Sequence, residues 1–354
     1  AASDVYKRQA PMEVHTMAAA KLDFDEDAFF WGQERYMRKD VKTLTFQSSL
    51  QNVPSSAWDV SEAGDGSVLA WMDNGDLYVA ADGAIAPNSN ASWLFQGFVN
   101  LKTINFGNCF VTSSVTQMSG MFAGCSSLTG LDLSCFETSA VTDMYGVFSS
   151  CGSLTHLDLT SFDTSNVTAM SSMFDGCRSL TSLDLTSFDT SSVTDMGSMF
   201  YGCESLTHLN LTSFDTSKVT DMAFMFSGCS SLTALDLASF DTSSVTTMES
   251  MFSGCSSLTT LDLTSFDTSN VTTMESMFYE CKSLVSLNLT NFDTSSVTRM
   301  DFMFEKCNSL TSLDLSSFDT SNVTYMNWMF SWCSSLTSPV SYTHLRAHET
   351  TLHL

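Results

Sequence analysis

Thiols and carboxylates are the groups in this 354-residue chain that could do chemistry, and both recur at a fixed step. Nine cysteines, Cys125, Cys151, Cys177, Cys203, Cys229, Cys255, Cys281, Cys307 and Cys333, lie 26 residues apart. No C-x-x-C pair accompanies them, so they mark one position in stacked units rather than a zinc knuckle. A small apolar residue buried between coils is the reading this position supports. Coils ~4.8 Å apart would bring neighbouring Cα atoms within disulfide range. Parallel Cβ vectors and an odd count of nine oppose systematic bridging. Cys109 and Cys135, which both precede a turn phenylalanine in consecutive units, form the better candidate pair.

The carboxylates form two rows. Asp163, Asp189, Asp215, Asp241, Asp267, Asp293 and Asp319 recur in D-T-S-x turns, where their simplest role is to accept backbone N–H bonds. Asp132, Asp158, Asp184, Asp236, Asp262 and Asp314 point outward from a strand face, with Asn210 and Asn288 interrupting the row. Stacked ~5 Å apart, such carboxylates repel by about 1 kcal/mol even in water. They form either a solvated polar face or a groove for cations or basic partner segments. On the second reading the partner-binding residues are His156, Asp158, Thr160, Ser182, Asp184, Thr186 and His208, with Asp236, Asp262 and Asp314 further along. His156 and His208 fall two coils apart, ~10 Å by strand spacing, too far to share a metal. Asp23, Asp25 and Asp27 with Glu34 at the twelfth place have the spacing of a calcium loop, but Ala28 stands where that loop needs glycine. An acidic linker is favoured there, with calcium the weaker alternative. The chain has no G-x-S-x-G, no phosphate-cradling glycine loop and no H-E-x-x-H, so it reads as non-catalytic and cofactor-free.

Positioning these rows falls to the repeat. Met118 to Met326 and the Val-Thr pairs from Val115 to Val323 keep the cysteines' step of 26, the signature of a solenoid. One unit, Ser192 to Ser217, reads SVTDMGSMFYGCESLTHLNLTSFDTS. Leu206, Leu209 and Leu211 form L-x-x-L-x-L, the mark of a leucine-rich repeat whose short strand turns its leucines inward. Val193, Met196, Met199 and Phe200 have the spacing of helical turns, with Gly202 placed as a C-cap. Ser150, Glu280, Lys306 and Trp332 replace that glycine, so a left-handed backbone is not expected to be obligatory. Phe224, Phe302, Tyr325, Trp328 and Trp332 break the polar consensus on the helical side, either as a contact patch or sugar-stacking site or as drift. The fold expected is thus α/β: a leucine-rich-repeat solenoid with one parallel strand ladder, short helical turns on the other side, and a small β-rich N-terminal cap.

The leader supplies that cap. Val68 to Val79 reads as a hairpin turning at Asn74-Gly75, and Leu101 to Phe106 mimics the repeat's strand one step early. The expected organisation is an acidic segment over 10–40, the cap over 41–108 and nine units over 109–338. Acidic residues outnumber basic ones 39 to 14, giving a net charge of −25. Residues 109–336 alone hold 24 acidic and 5 basic side chains, or −19. That excess argues against nucleic-acid binding and against docking on an anionic membrane. No apolar run reaches the ~18–20 residues of a membrane span, so no insertion is expected within this fragment. Only 4 prolines, with 43% hydrophobic residues, exclude a largely disordered chain.

The unit V-T-x-M-x-x-M-F-x-G-C-x-S-L-T-x-L-D-L-x-S-F-D-T-S resembles the repeat of BspA-like leucine-rich-repeat bacterial surface proteins and Mycoplasma-type surface lipoproteins, from about Thr112 to Ser338. The stretches WDVSEAGDGSVLAW, DLYVAADG and WLFQGFVNLKTINF resemble the leader of such repeats, and Phe188 and Phe214 stand where the wider class has an asparagine ladder. The resemblance implies an extracellular or cell-surface protein that adheres to host or neighbouring cells through a protein or glycan ligand. An ice- or mineral-binding Thr/Ser-rich solenoid is the alternative, as is the binding region of a larger surface enzyme. Residues 1–9 and 339–354 break the surrounding pattern and resemble translated sequencing-adapter DNA. On that reading, the absence of a signal peptide and an anchor says nothing about location, and the uncapped C-terminal coil would self-associate end to end.

Overall fold

The computed structural model describes residues 12–23 and 25–337; both adapter-like strings lie outside the described residues. Strands and turns make up almost all of the described chain, with one three-residue 3-10 helix at Arg38–Asp40.

The leader folds around a five-stranded sheet. Its strands are β2 (Thr43–Gln47), β3 (Trp58–Asp59), β4 (Leu69–Asp73), β5 (Asp76–Ala80) and β7 (Thr103–Asn105), in the order β3-β4-β5-β2-β7. β4 and β5 form the expected antiparallel hairpin, with Asp73 opposite Asp76. Asn74 and Gly75 carry the positive φ values, 51° and 99°, that a two-residue turn needs. β7, the stretch that mimics the repeat's strand, pairs in parallel with β2 inside the cap. The 10–40 segment is no linker: β1 (Val14–Thr16) pairs in parallel with β6 (Ala84–Ala86), and Phe30 is buried edge-on against Phe98 and Trp58.

In the repeats, coil joins coil through the Val-Thr-x-Met stretch and the turns after it. Parallel bridges run from Asn90–Gln117 through Asp195–Asp221 to Arg299–Tyr325. Within one coil, the amides of Met196, Ser198, Phe200 and Gly202 donate to the next coil's Asp221, Ala223, Met225 and Ser227 carbonyls at 3.1, 2.8, 2.9 and 2.7 Å. The intervening amides close turns at home: Met199 donates to Met196, Tyr201 to Ser198 and Cys203 to Phe200. The expected helical turns are therefore absent. A helix would direct every amide back four residues, whereas positive φ at Ser198 (56°) and Gly202 (65°) turns alternate peptides along the stack. The left-handed backbone at Gly202 is also obligatory, contrary to expectation. Ser150, Glu280, Lys306 and Trp332 all adopt it, at 60°, 57°, 61° and 61°.

The L-x-x-L-x-L segment keeps its alternation, with Leu209 and Leu211 buried and Asn210 exposed. Its hydrogen bonds are long, as in Thr207 to Thr181 at 3.5 Å, and it forms strand only at β8 (Ser286–Leu287) and β9 (Ser312–Leu313). The stronger ladder thus lies on the side where helical turns were expected. Between the two sides runs a column of phenylalanines, with Phe148–Phe174 and Phe200–Phe226 stacked at 5.8 and 5.7 Å. Phe95 of the leader joins this column at 5.4 Å from Phe122 and covers the first coil. Aromatic burial of this kind is worth roughly 2–3 kcal/mol per ring, and it is completed only by the neighbouring coil.

Candidate partner-binding face

Buried leucines aim the candidate residues outward. Leu157 and Leu159 are buried while His156, Asp158 and Thr160 are exposed. Ser182, Asp184 and Thr186 repeat this one coil on, and His208, Asp236, Asp262 and Asp314 occupy the same exposed rows. The register Ser286 opposite Ser312 shows these rows stacking coil on coil. All ten candidates therefore lie on one face.

Each outward carboxylate closes a local turn. Asp158 accepts the amide and hydroxyl of Thr160 at 3.0 and 2.7 Å, and Asp184 and Asp262 treat Thr186 and Thr264 alike. The Thr hydroxyl and amide hold Asp158, Asp184 and Asp262 below the usual carboxylate range. Asp158 pushes Asp184 the other way without reversing the shift. Asp158, Asp184 and Asp262 stay ionised at neutral pH. Asn210 and Asn288 accept the same bonds from Thr212 and Thr290, at 3.2 and 2.8 Å in both. The turn therefore needs a side-chain oxygen and not a charge.

The D-T-S row does what was expected of it, and its neighbour does more. Asp189 accepts the Ser191 amide at 3.0 Å. The buried Thr190 hydroxyl donates to the Asp215 carbonyl of the next coil at 2.9 Å and accepts the Asp215 amide at 2.8 Å. Thr138, Thr164, Thr242, Thr268 and Thr294 form the same reciprocal pair. The sequence reading missed this clamp, although a threonine recurring between two turn formers was visible.

The cysteines sit in the core with their thiols directed at carbonyls: Cys203 Sγ donates to Phe174 O at 3.2 Å. Burial pushes Cys125 and Cys255 up to about 12. Cys109 and Cys135 are both free thiols, Cys109 buried and Cys135 half-buried. The calcium-spaced carboxylates are not gathered. Asp23 meets Arg38 at 3.6 Å and lines one cavity with it and Glu34, Asp27 pairs with Lys39, and Asp25 accepts the Asp27 amide. Among the described residues no three His, Cys, Asp or Glu side chains converge to hold a metal, and no helix is long and apolar enough to cross a membrane.

The same step that builds this face identifies the chain, since the profile of one family matches residues 89–208, 181–261 and 254–351. The chain belongs to the family described as Mycoplasma protein of unknown function, DUF285. The DUF285 match begins just before Ala91, whose amide donates to Gln117 and opens the first turn ladder. No curated protein matches the chain. A solved TLR13–ssRNA13 complex is similar at 18% identity with a TM-score of 0.25, over 71% of this chain and 42% of that one. The chain thus spans less than half the length of that protein.

Proposed function

We propose that the chain is a non-catalytic repeat protein of the leucine-rich-repeat solenoid type, close to the BspA-like surface proteins. It acts outside the cell, where it adheres to macromolecular partners through its outward Asp face. One observation carries this reading: the turn beneath the row closes without a charge. Asn210 and Asn288 close the same turn as Asp158 and Asp184 without the repulsion that stacked carboxylates bring. A row of fixed negative charge, flanked by His156, His208 and threonine hydroxyls on a regular surface, suits a basic protein segment. Complementary charge there would raise the association rate and select the partner.

The test is the triple variant Asp184→Asn, Asp236→Asn, Asp262→Asn. It should fold, with a denaturation midpoint only slightly lower at neutral pH, because asparagine already closes these turns while the contribution of the lowered Asp184 and Asp262 values is lost. Adhesion of the labelled chain to cultured epithelial cells should fall several-fold and become less sensitive to salt. Adhesion equal to that of the unaltered chain would refute the assignment.

A further inference from the structure

On another side of the stack, away from the Asp row, coils containing Gly176, Gly202 and Gly228 enclose an open cavity of about 490 Å³, within the range of small-molecule sites. Its floor is backbone. A Cβ on Gly202 would lie 3.7 Å from Gly176 Cα, and one on Gly228 would lie 3.2 Å from Gly202 Cα, so the glycines stack without side chains between them. Further along, Glu280, Lys306 and Trp332 take the same left-handed position and put side chains there instead. The furrow is thus confined to particular coils.

Its walls come from residues that depart from the repeat consensus. Tyr201 is 44% exposed and is braced edge-on by Phe224 at 6.3 Å. Arg178 and Glu204 form a rim pair at 3.5 Å, and half-buried Asp175 and exposed Ser150 add to the lining. Burial raises Asp175 from its ordinary value against the opposing pull of Ser149 and Arg178, so this carboxyl is held in the wall at a cost.

We propose that this groove is a saccharide subsite, seating a neutral pyranose ring on the face of Tyr201 with its hydroxyls on Asp175, Glu204 and Arg178. Sugar C–H bonds suit the negative face of an aromatic ring, and vicinal hydroxyls suit carboxylate acceptors and a guanidinium donor. Two carboxylates beside an already paired arginine disfavour an anionic ligand. A peptide adding as a strand finds no free edge, because the Gly176 and Gly202 amides are already given to Tyr201 and Ser227.

The test uses saturation-transfer NMR on the full chain with maltotetraose, cellotetraose, chitotetraose and mannotetraose as probes. At least one should receive saturation. Tyr201→Ala and Gly202→Glu should each weaken its binding by about tenfold or more. Gly202→Glu fills the furrow while copying what Glu280 already does in the same backbone position, and circular dichroism checks that both variants remain folded. Loss in both folded variants supports the site. Silence from all four probes, or binding that persists in either variant, overturns it. These residues lie outside the Asp row, so the outcome is independent of the adhesion test.

Discussion

At the scale of single residues, the left-handed positions separate conformational strain from lack of space. Gly120 and Gly146 occupy equivalent sites with nearly equal φ, 55° and 56°. A Cβ on Gly146 would meet Ser149 at an ordinary 3.6 Å, whereas a Cβ on Gly120 would overlap the Trp93 ring. Gly146→Ala should therefore cost about 1 kcal/mol, the conformational term alone. Gly120→Ala should cost roughly 3 kcal/mol and displace Trp93, since backbone and ring must both yield. Urea denaturation of the two variants, with near-ultraviolet circular dichroism for the indole, measures both effects. Equal losses would mean that the Trp93 ring moves aside freely. Phe224, Phe302 and Trp328 share this φ sign at 58°, 59° and 60°. These aromatics that stood out from the consensus thus sit in strained backbone, Trp328 exposed and Phe224 and Phe302 half-buried, and for Phe224 the bracing of Tyr201 gives that placement a use.

At the scale of the element, the unit is a turn ladder fastened by a threonine clamp. Thr190→Val keeps nearly the same shape but removes the hydroxyl that both donates to and accepts from the Asp215 backbone. Two bonds go, and a part-buried amide loses its partner. The expected loss is roughly 2–3 kcal/mol, while Thr190→Ser, which keeps the hydroxyl, should lose less than half of that. Denaturant midpoints of the two variants decide the matter. The period, the inward leucines and the Asn74-Gly75 hairpin were legible because each rests on one local rule. The helical reading failed because Val193, Met196, Met199 and Phe200 have a spacing that buries equally well in a helix or in overlapping turns. Only the backbone of the neighbouring coil, which takes up alternate amides, selects the turns. The outward rows were legible for the same reason as the leucines. The groove was not, because Asp175 and Tyr201 lie 26 residues apart in the chain and meet only after stacking.

At the scale of the whole molecule, these local bonds add up to a definite response to acid. Many carboxylates have folded values below their ordinary 3.8, among them Asp163, Asp189, Asp215 and Asp293, chiefly because a serine hydroxyl two residues on, and then its amide, hold the ionised form. A depressed folded value contributes stability that is present above the unfolded value and is lost as pH falls through the folded one. A smaller set runs the other way: burial raises Asp175, Asp221, Glu275 and Glu305. These groups take up protons more readily in the folded state, so acidification first adds stability, and it also relieves the self-repulsion of a chain carrying −25. Glu280 is the extreme of the first set, drawn down to about 2 by Lys306. Stability should therefore hold or rise slightly from neutral pH to about pH 4.5, then fall steeply below about pH 3.8 as the turn carboxylates protonate. Denaturant midpoints measured across pH 2.5–7, in about 0.15 M salt to limit long-range repulsion, test the sign in each window. A rise that continues below pH 3.8 would mean that the buried carboxylates, and not the turn carboxylates, govern how the stack responds to protons, and a steady decline beginning near pH 6 would contradict both sets.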